Sequence, residues 1–121
     1  MSEYNHKEIA QLFKILSNPG RVAILEALRD DEHCVCHIEN RLKYRQAYIS
    51  QQLILLREAG LVEDRRDGWN IYYRVTSSEV FGLIDTARTA LKLPTDFKRK
   101  VTASDNCPCP KCNQLLTNVS G

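Results

Sequence analysis

Apolar residues at Ile9, Leu12, Phe13 and Leu16 recur at the three- and four-residue spacing of one helix face, which predicts an amphipathic helix over residues 4–17. Asn18-Pro19-Gly20 interrupts it. Proline suits the first turn of a new helix and asparagine its N-cap, so a second helix is expected from Pro19 to about Arg29, burying Val22, Leu25 and Leu28. After the acidic Asp30-Asp31-Glu32, the pattern predicts a short helix over 33–42 with Val35, Ile38 and Leu42 inward. Lys43-Tyr44-Arg45 reads as a turn. A longer helix over 46–59 follows, anchored by Ile49, Leu53 and Leu56 and stopped by Gly60 as a left-handed cap. Leu61–Arg66 and Asn70–Val75 are β-type runs around Asp67-Gly68, a hairpin signal. Ser77 or Ser78 caps a last helix carrying Val80, Leu83, Ile84, Ala87 and Leu91, which Pro94 is expected to end.

A short helix, a turn, a longer helix and then a hairpin make a winged helix-turn-helix, a mainly α fold with a β-hairpin wing. In such a unit the second helix enters the DNA major groove. Gln46, Ser50, Gln51 and Gln52 offer uncharged donors and acceptors for base edges, and Tyr48 adds a phenol. Arg41, Lys43 and Arg45 before the helix and Arg65 and Arg66 in the hairpin are candidate phosphate anchors. The competing reading is an ordinary solvated helix face flanked by arginines.

Charge changes this picture in one respect. The whole chain of 121 residues is only +2, which excludes a uniformly basic coat. Residues 41–74, however, hold seven basic against four acidic side chains, so the weak net charge hides a basic half. With 43% hydrophobic residues the chain has enough apolar material for one domain. The division expected is a domain over 1–93 and a polar, proline-interrupted tail over 94–121. No apolar run approaches the roughly 18 residues of a membrane span. The opening M-S-E-Y-N-H-K-E has no signal-peptide core, so a cytoplasmic setting is the expectation.

The stretches L-F-K-I-L-S-N-P-G-R-V-A-I-L-E-A-L, C-V-C-H-I, Q-A-Y-I-S-Q-Q-L-I-L-L-R-E-A-G-L-V and R-R-D-G-W-N-I-Y-Y-R-V resemble the ArsR/SmtB family of bacterial repressors across residues 10–92. That resemblance implies a homodimer that binds double-stranded promoter DNA and leaves when a metal, metalloid or oxidant engages it. It also implies a dimer interface made by the first and last helices. The apolar stripe over 80–91, wider than one small domain needs, agrees with this.

Five cysteines cannot all pair within one chain, and in a reducing compartment thiols more often bind metal or react. Cys34 and Cys36 stand where the resemblance places the C-x-C motif of members that sense arsenite, antimonite, cadmium or lead. Soft ions prefer thiolates, and a helix N-terminus lowers a thiol pKa. Positions i and i+2 of a helix do not face one another, so both sulfurs reach one ion only where the helix is absent or unwound. His33 and His37 depart from the family pattern, which has an apolar residue at the first position and usually an acidic one at the second. They are candidate zinc ligands weighed against ordinary surface histidines. Cys107, Cys109 and Cys112 crowd the tail like a metal knuckle lacking its second half. Asp85 without a histidine on the last helix argues against a nitrogen/oxygen site there.

The reading that results is a thiolate-dependent repressor with arsenite, cadmium, lead or zinc as inducer. A thiol redox or sulfide sensor on the same fold is the alternative. A structural zinc in the tail remains open. An enzyme built on Cys34 and His37 is disfavoured, because no third orienting residue and no phosphate loop accompany them.

Overall fold

The computed structural model of the chain describes residues 5–94. Eight elements follow in order: α1 (His6–Ile15), α2 (Pro19–Ala27), β1 (His33–Cys34), α3 (Val35–Leu42), α4 (Gln46–Glu58), β2 (Val62–Asp67), β3 (Asn70–Val75) and α5 (Glu79–Ala90). The three strands form one antiparallel sheet in the order β1-β3-β2. Among the described residues no helix is long and apolar enough to cross a membrane.

The helix signals act as their chemistry requires. Asn18 is extended and its side chain accepts from the Arg21 backbone N–H, while Pro19 opens α2 without wasting a donor. Helix α4 ends at Gly60, whose φ of 79° lets its N–H reach the Arg57 carbonyl and that of Leu61 the Leu56 carbonyl. Helix α5 closes in the same way earlier than Pro94. Lys92 takes the left-handed conformation, and the N–H groups of Lys92 and Leu93 bond to the carbonyls of Thr89 and Arg88. In the hairpin, Asp67 pairs with Asn70, so Gly68-Trp69 forms the two-residue turn, with Gly68 at φ 61° as the first turn residue.

The short helix begins two residues later than its periodicity suggests. His33 and Cys34 are instead a strand, paired with Tyr73 and Tyr72 of β3, and Cys34 is the extended N-cap of α3. The wing is therefore the outer part of a three-stranded sheet tied to the helix-turn-helix.

Ile24, Leu25, Ile38, Ile49, Leu53, Leu56 and Val62 are fully buried, and Leu28, Val80 and Ile84 complete the core around them. Truncating such a leucine to alanine costs about 2–5 kcal/mol. Helix α1 contributes differently. None of its residues is buried, and Ile9 and Phe13 are about half exposed. On α5, Val80 and Ile84 face the core while Leu83 and Leu91 stay exposed.

Two contacts lock the helices to one another. Arg29 donates to Asp85 at 2.8 and 3.0 Å and to Glu26 at 2.7 Å, and Arg88 reaches the same two carboxylates at 3.1 and 3.3 Å, joining α2 to α5. The hydrogen bond from Arg29 holds the Asp85 carboxyl below its usual range. The second contact is Gly20 under the ring of Tyr48, whose hydroxyl donates to Asn18 Oδ1 at 3.2 Å. A methyl at residue 20 would lie 2.9 Å from two ring carbons of Tyr48 and closer still to its oxygen. Gly20→Ala should therefore lower stability by about 1–3 kcal/mol in urea unfolding. In a Tyr48→Ala background the same change should cost far less; an equal loss in both backgrounds would exclude the clash as its cause.

Candidate nucleic-acid interface and thiol site

Helix α4 is held by Ile49, Leu53 and Leu56 in the core, which fixes what its other positions present. Gln46, Ala47 and Gln51 are exposed and Ser50 half-exposed, so its first two turns offer a polar, uncharged face. Arg45, the extended N-cap of α4, is exposed beside them, as is Lys43.

Two residues expected on that face are turned elsewhere. Gln52 is 7% exposed, and its Oε1 accepts from Arg21 Nε at 2.9 Å. Arg21 also donates to the Ile15 carbonyl, so Gln52 braces the α1–α2 corner against α4 instead of standing free to meet a base. Tyr48 is half-buried, bonded to Asn18 and set edge-on against Tyr44 with ring centroids 5.4 Å apart. Its phenol serves the packing of α2 on α4.

The two hairpin arginines part company by strand alternation. Arg65 lies opposite Tyr72, its guanidinium 5.0 Å from that ring's centroid, and it forms a two-point ion pair with Glu32 at 2.5 and 3.2 Å. Donating these hydrogen bonds to Glu32 keeps the guanidinium more firmly protonated than usual. Arg66 lies on the opposite face, in register with Ile71, and is exposed with no ion pair among the described residues. Arg74 is paired with Glu63, Arg57 lies 3.6 Å from Asp64, and Arg41 lies 4.0 Å from Asp30. Trp69, which sequence reasoning passed over, stands fully exposed at the hairpin turn. A tryptophan inside a two-residue turn was the available signal.

The two thiols border one small cluster, Cys34 from a strand and Cys36 from the first turn of a helix. Cys34 is 7% exposed and forms a small buried cluster with Tyr72, against which Cys36 packs from the first turn of α3. Asn40 donates to the Cys36 carbonyl at 2.9 Å, and its Nδ2 lies 3.7 Å from the Cys36 sulfur. Cys34, Tyr72 and Arg65 thus form one row across β1, β3 and β2.

His33 and His37 are not surface residues. They are 6% and 3% exposed and stacked on each other, ring centroids 3.9 Å apart and 12° from parallel. Among the described residues no group of three or more His, Cys, Asp or Glu is gathered tightly enough to hold a metal. Asp85 is engaged by Arg29 and Arg88. Cys107, Cys109 and Cys112 lie outside the described residues.

Residues 18–64 match the family described as bacterial regulatory protein, arsR family. The transcriptional repressor SmtB homolog of Synechocystis is 35% identical over 83 residues, covering 69% of this chain, and the chain spans only 63% of that relative's length. The cadmium resistance transcriptional regulatory protein CadC of Listeria innocua is 31% identical over 104 residues, covering 85% of this chain and 82% of that protein. The crystal structure of the transcriptional repressor BigR from Xylella fastidiosa superposes with a TM-score of 0.68 at 36% identity, covering 73% of this chain and 90% of that one. The chain belongs to the ArsR/SmtB family of winged helix-turn-helix regulators, which are DNA-binding transcription factors and not enzymes.

Proposed function

We propose that the protein is a homodimeric repressor of a promoter, released when a soft metal or metalloid of the arsenite, antimonite, cadmium or lead class engages Cys34 and Cys36. The observation that carries this reading is the place of the two thiols. They pack together around Tyr72 at the joint between the brace helix α3 and the wing strand β3. A change at the joint bears on both DNA-facing parts of the fold. Cys34 is already extended, so the two sulfurs are not held on opposite sides of a helix.

The donor set is incomplete within the described residues. Two sulfurs leave at least one donor to be supplied, and Cys107, Cys109 and Cys112 of the tail are the proposed source, from the same chain or its partner. The domain over 1–93 and the cysteine tail over 94–121 are accordingly proposed as reader and part of the sensor. Three thiolates suit arsenite or lead; zinc would want a fourth donor, and His33 and His37, stacked on each other, are not gathered with the two thiols into a group that could hold a metal. To ligate, Cys34 must leave the cover of Tyr72, which loosens β1 from β3 and disfavours the DNA-competent shape. The CadC relative's name agrees with a thiophilic inducer, whereas the name of BigR carries no metal.

The proposed DNA face is Arg45, Gln46, Ser50 and Gln51, with Arg66 on the wing. Arg65, tied to Glu32, is a secondary contact, and Tyr48 and Gln52 hold the face in place. The exposed apolar residues of α1 and α5 are the proposed dimer surface, with a second copy as their cover.

A second reading rests on the same cluster. With two thiols and no third donor gathered there among the described residues, oxidation to a disulfide is the alternative signal. The two sulfurs would then give up two protons and two electrons to a peroxide.

Two outcomes test these assignments. Arg66→Ala should weaken binding to duplex DNA and reduce the slope of log affinity against log salt by about one, while Arg65→Ala changes that slope less. Fluorescence anisotropy across a salt series reads both, and equal effects would overturn the division between the two arginines. Separately, arsenite, cadmium or lead should release the wild-type protein from its operator and leave a Cys34→Ser/Cys36→Ser variant bound. Release of that variant refutes the thiol site. Release by peroxide alone selects the redox reading, and deletion after Pro94 shows whether the tail supplies donors.

A further inference from the structure

Trp69 is the only tryptophan in the chain and is 101% exposed at the tip of the hairpin. A bare indole is unusual, because its large apolar surface normally finds cover. The turn is also tight. Gly68-Trp69 is a two-residue turn, and strand pairing continues up to Asp67 and Asn70 on either side of it. Among the described residues nothing is buried beside it on β2, where every residue from Asp64 onward is exposed. The indole thus stands at the tip of the paired strands, clear of the other described residues.

Its surroundings say what it meets. Arg66, the exposed wing cation, precedes the turn on the sheet face shared with Val62, Tyr73 and Val75, while Asp67 falls on the opposite face with Glu63 and Arg65. The face that carries Arg66 is the one packed toward the core that seats α4. The apolar surfaces of α1 and α5, which a second copy is proposed to cover, belong to other elements. An indole offers a flat apolar face and a single N–H donor. The edge of a DNA groove offers the complement, namely apolar deoxyribose and phosphate oxygens that only accept. Proteins that engage the minor groove commonly bring apolar side chains to it.

We propose that Trp69 is a DNA-contact residue. Its indole packs against the sugar–phosphate wall of the duplex beside the segment read by α4, adding an uncharged contact to the charged one of Arg66. This inference rests on the wing lying against DNA, and it assigns to this chain a contact that none of its basic residues supplies.

The emission of the single tryptophan reports the contact directly. The full-length protein is titrated at low salt with a fluorescein-labelled mixed-sequence duplex of about 30 base pairs, because the contact does not depend on base identity. Binding is followed independently by the anisotropy of the label. Emission should change and acrylamide quenching fall several-fold as the complex forms. Trp69→Ala should bind about tenfold more weakly with an unchanged salt slope, since no charge is removed. Trp69→Phe should recover part of the loss, and both variants should melt like the wild type because the residue is fully exposed among the described residues. The proposal is overturned if the complex forms while emission and quenching stay constant, or if Trp69→Ala keeps full affinity. A change in sedimentation of Trp69→Ala with unaltered DNA affinity would likewise overturn it and assign the indole to a protein contact. If the label's anisotropy never rises, the DNA-facing placement of the wing fails first and this inference falls with it.

Discussion

Two paired residues hold the architecture together. His33 and Cys34 form a strand against Tyr73 and Tyr72, and that pairing decides where α3 begins, how the hairpin is anchored and which side chains lie at the junction. A two-stranded hairpin alone is marginal in water. Here the third strand is continuous with the brace helix, so the wing cannot shift without disturbing the element that positions α4. The helix-turn-helix and the wing thereby become one mechanical unit, and the thiols sit on its hinge line. A brace that carried its cysteines in mid-helix would lack this link.

The charges show a similar economy of placement. Most arginines in the basic half serve the fold: Arg65 with Glu32, Arg74 with Glu63, Arg57 near Asp64 and Arg41 near Asp30. These pairs are largely exposed, and such pairs contribute little to stability. Their larger effect is to offset much of the positive charge of the basic half. Arg45 and Arg66 then stand out at the two ends of the proposed reading face. A count of basic residues along the sequence overstates the cationic surface, because it cannot separate a strand's two faces or see a carboxylate brought in from a distant loop.

Local signals were the legible ones. Asn18-Pro19, Gly60, the triplet Ile49, Leu53 and Leu56, and the two hairpin runs each act within a few residues, and the structure places them as their chemistry predicts. Most of the misses depend on contacts outside the element itself. Strand β1 has only two residues, too few for any periodicity, and exists because β3 lies beside it. Gln52 reads as a surface residue until Arg21, 31 positions away, claims its carbonyl oxygen. The histidines read as surface residues because polarity predicts exposure on average, yet β1 and the first turn of α3 stack them on each other. Of the candidate site, the helix face was readable at Gln46, Ser50 and Gln51, whereas the split between Arg65 and Arg66 needed the register.

The first helix supplies a last constraint. Isolated helices shorter than about 12–15 residues are marginal in water, and α1 has ten residues with none buried. Its amphipathic face is real, since Ile9, Leu12, Phe13 and Leu16 follow helical spacing, but only Leu16 and the neighbouring Ile15 pack against the core. Ile9 and Phe13 of that stripe stay exposed among the described residues. Leu83 and Leu91 on α5 stand in the same position, pointing away from a core already satisfied by Val80 and Ile84. Two helices, the first and last of the described residues, thus carry apolar surface that those residues leave exposed. A second copy answers both with one symmetric contact, because a self-complementary interface needs only this pair of faces. The proposed homodimer would therefore stabilise α1, and α1 in turn helps place the α1–α2 corner, where Arg21 holds Gln52 of the reading helix.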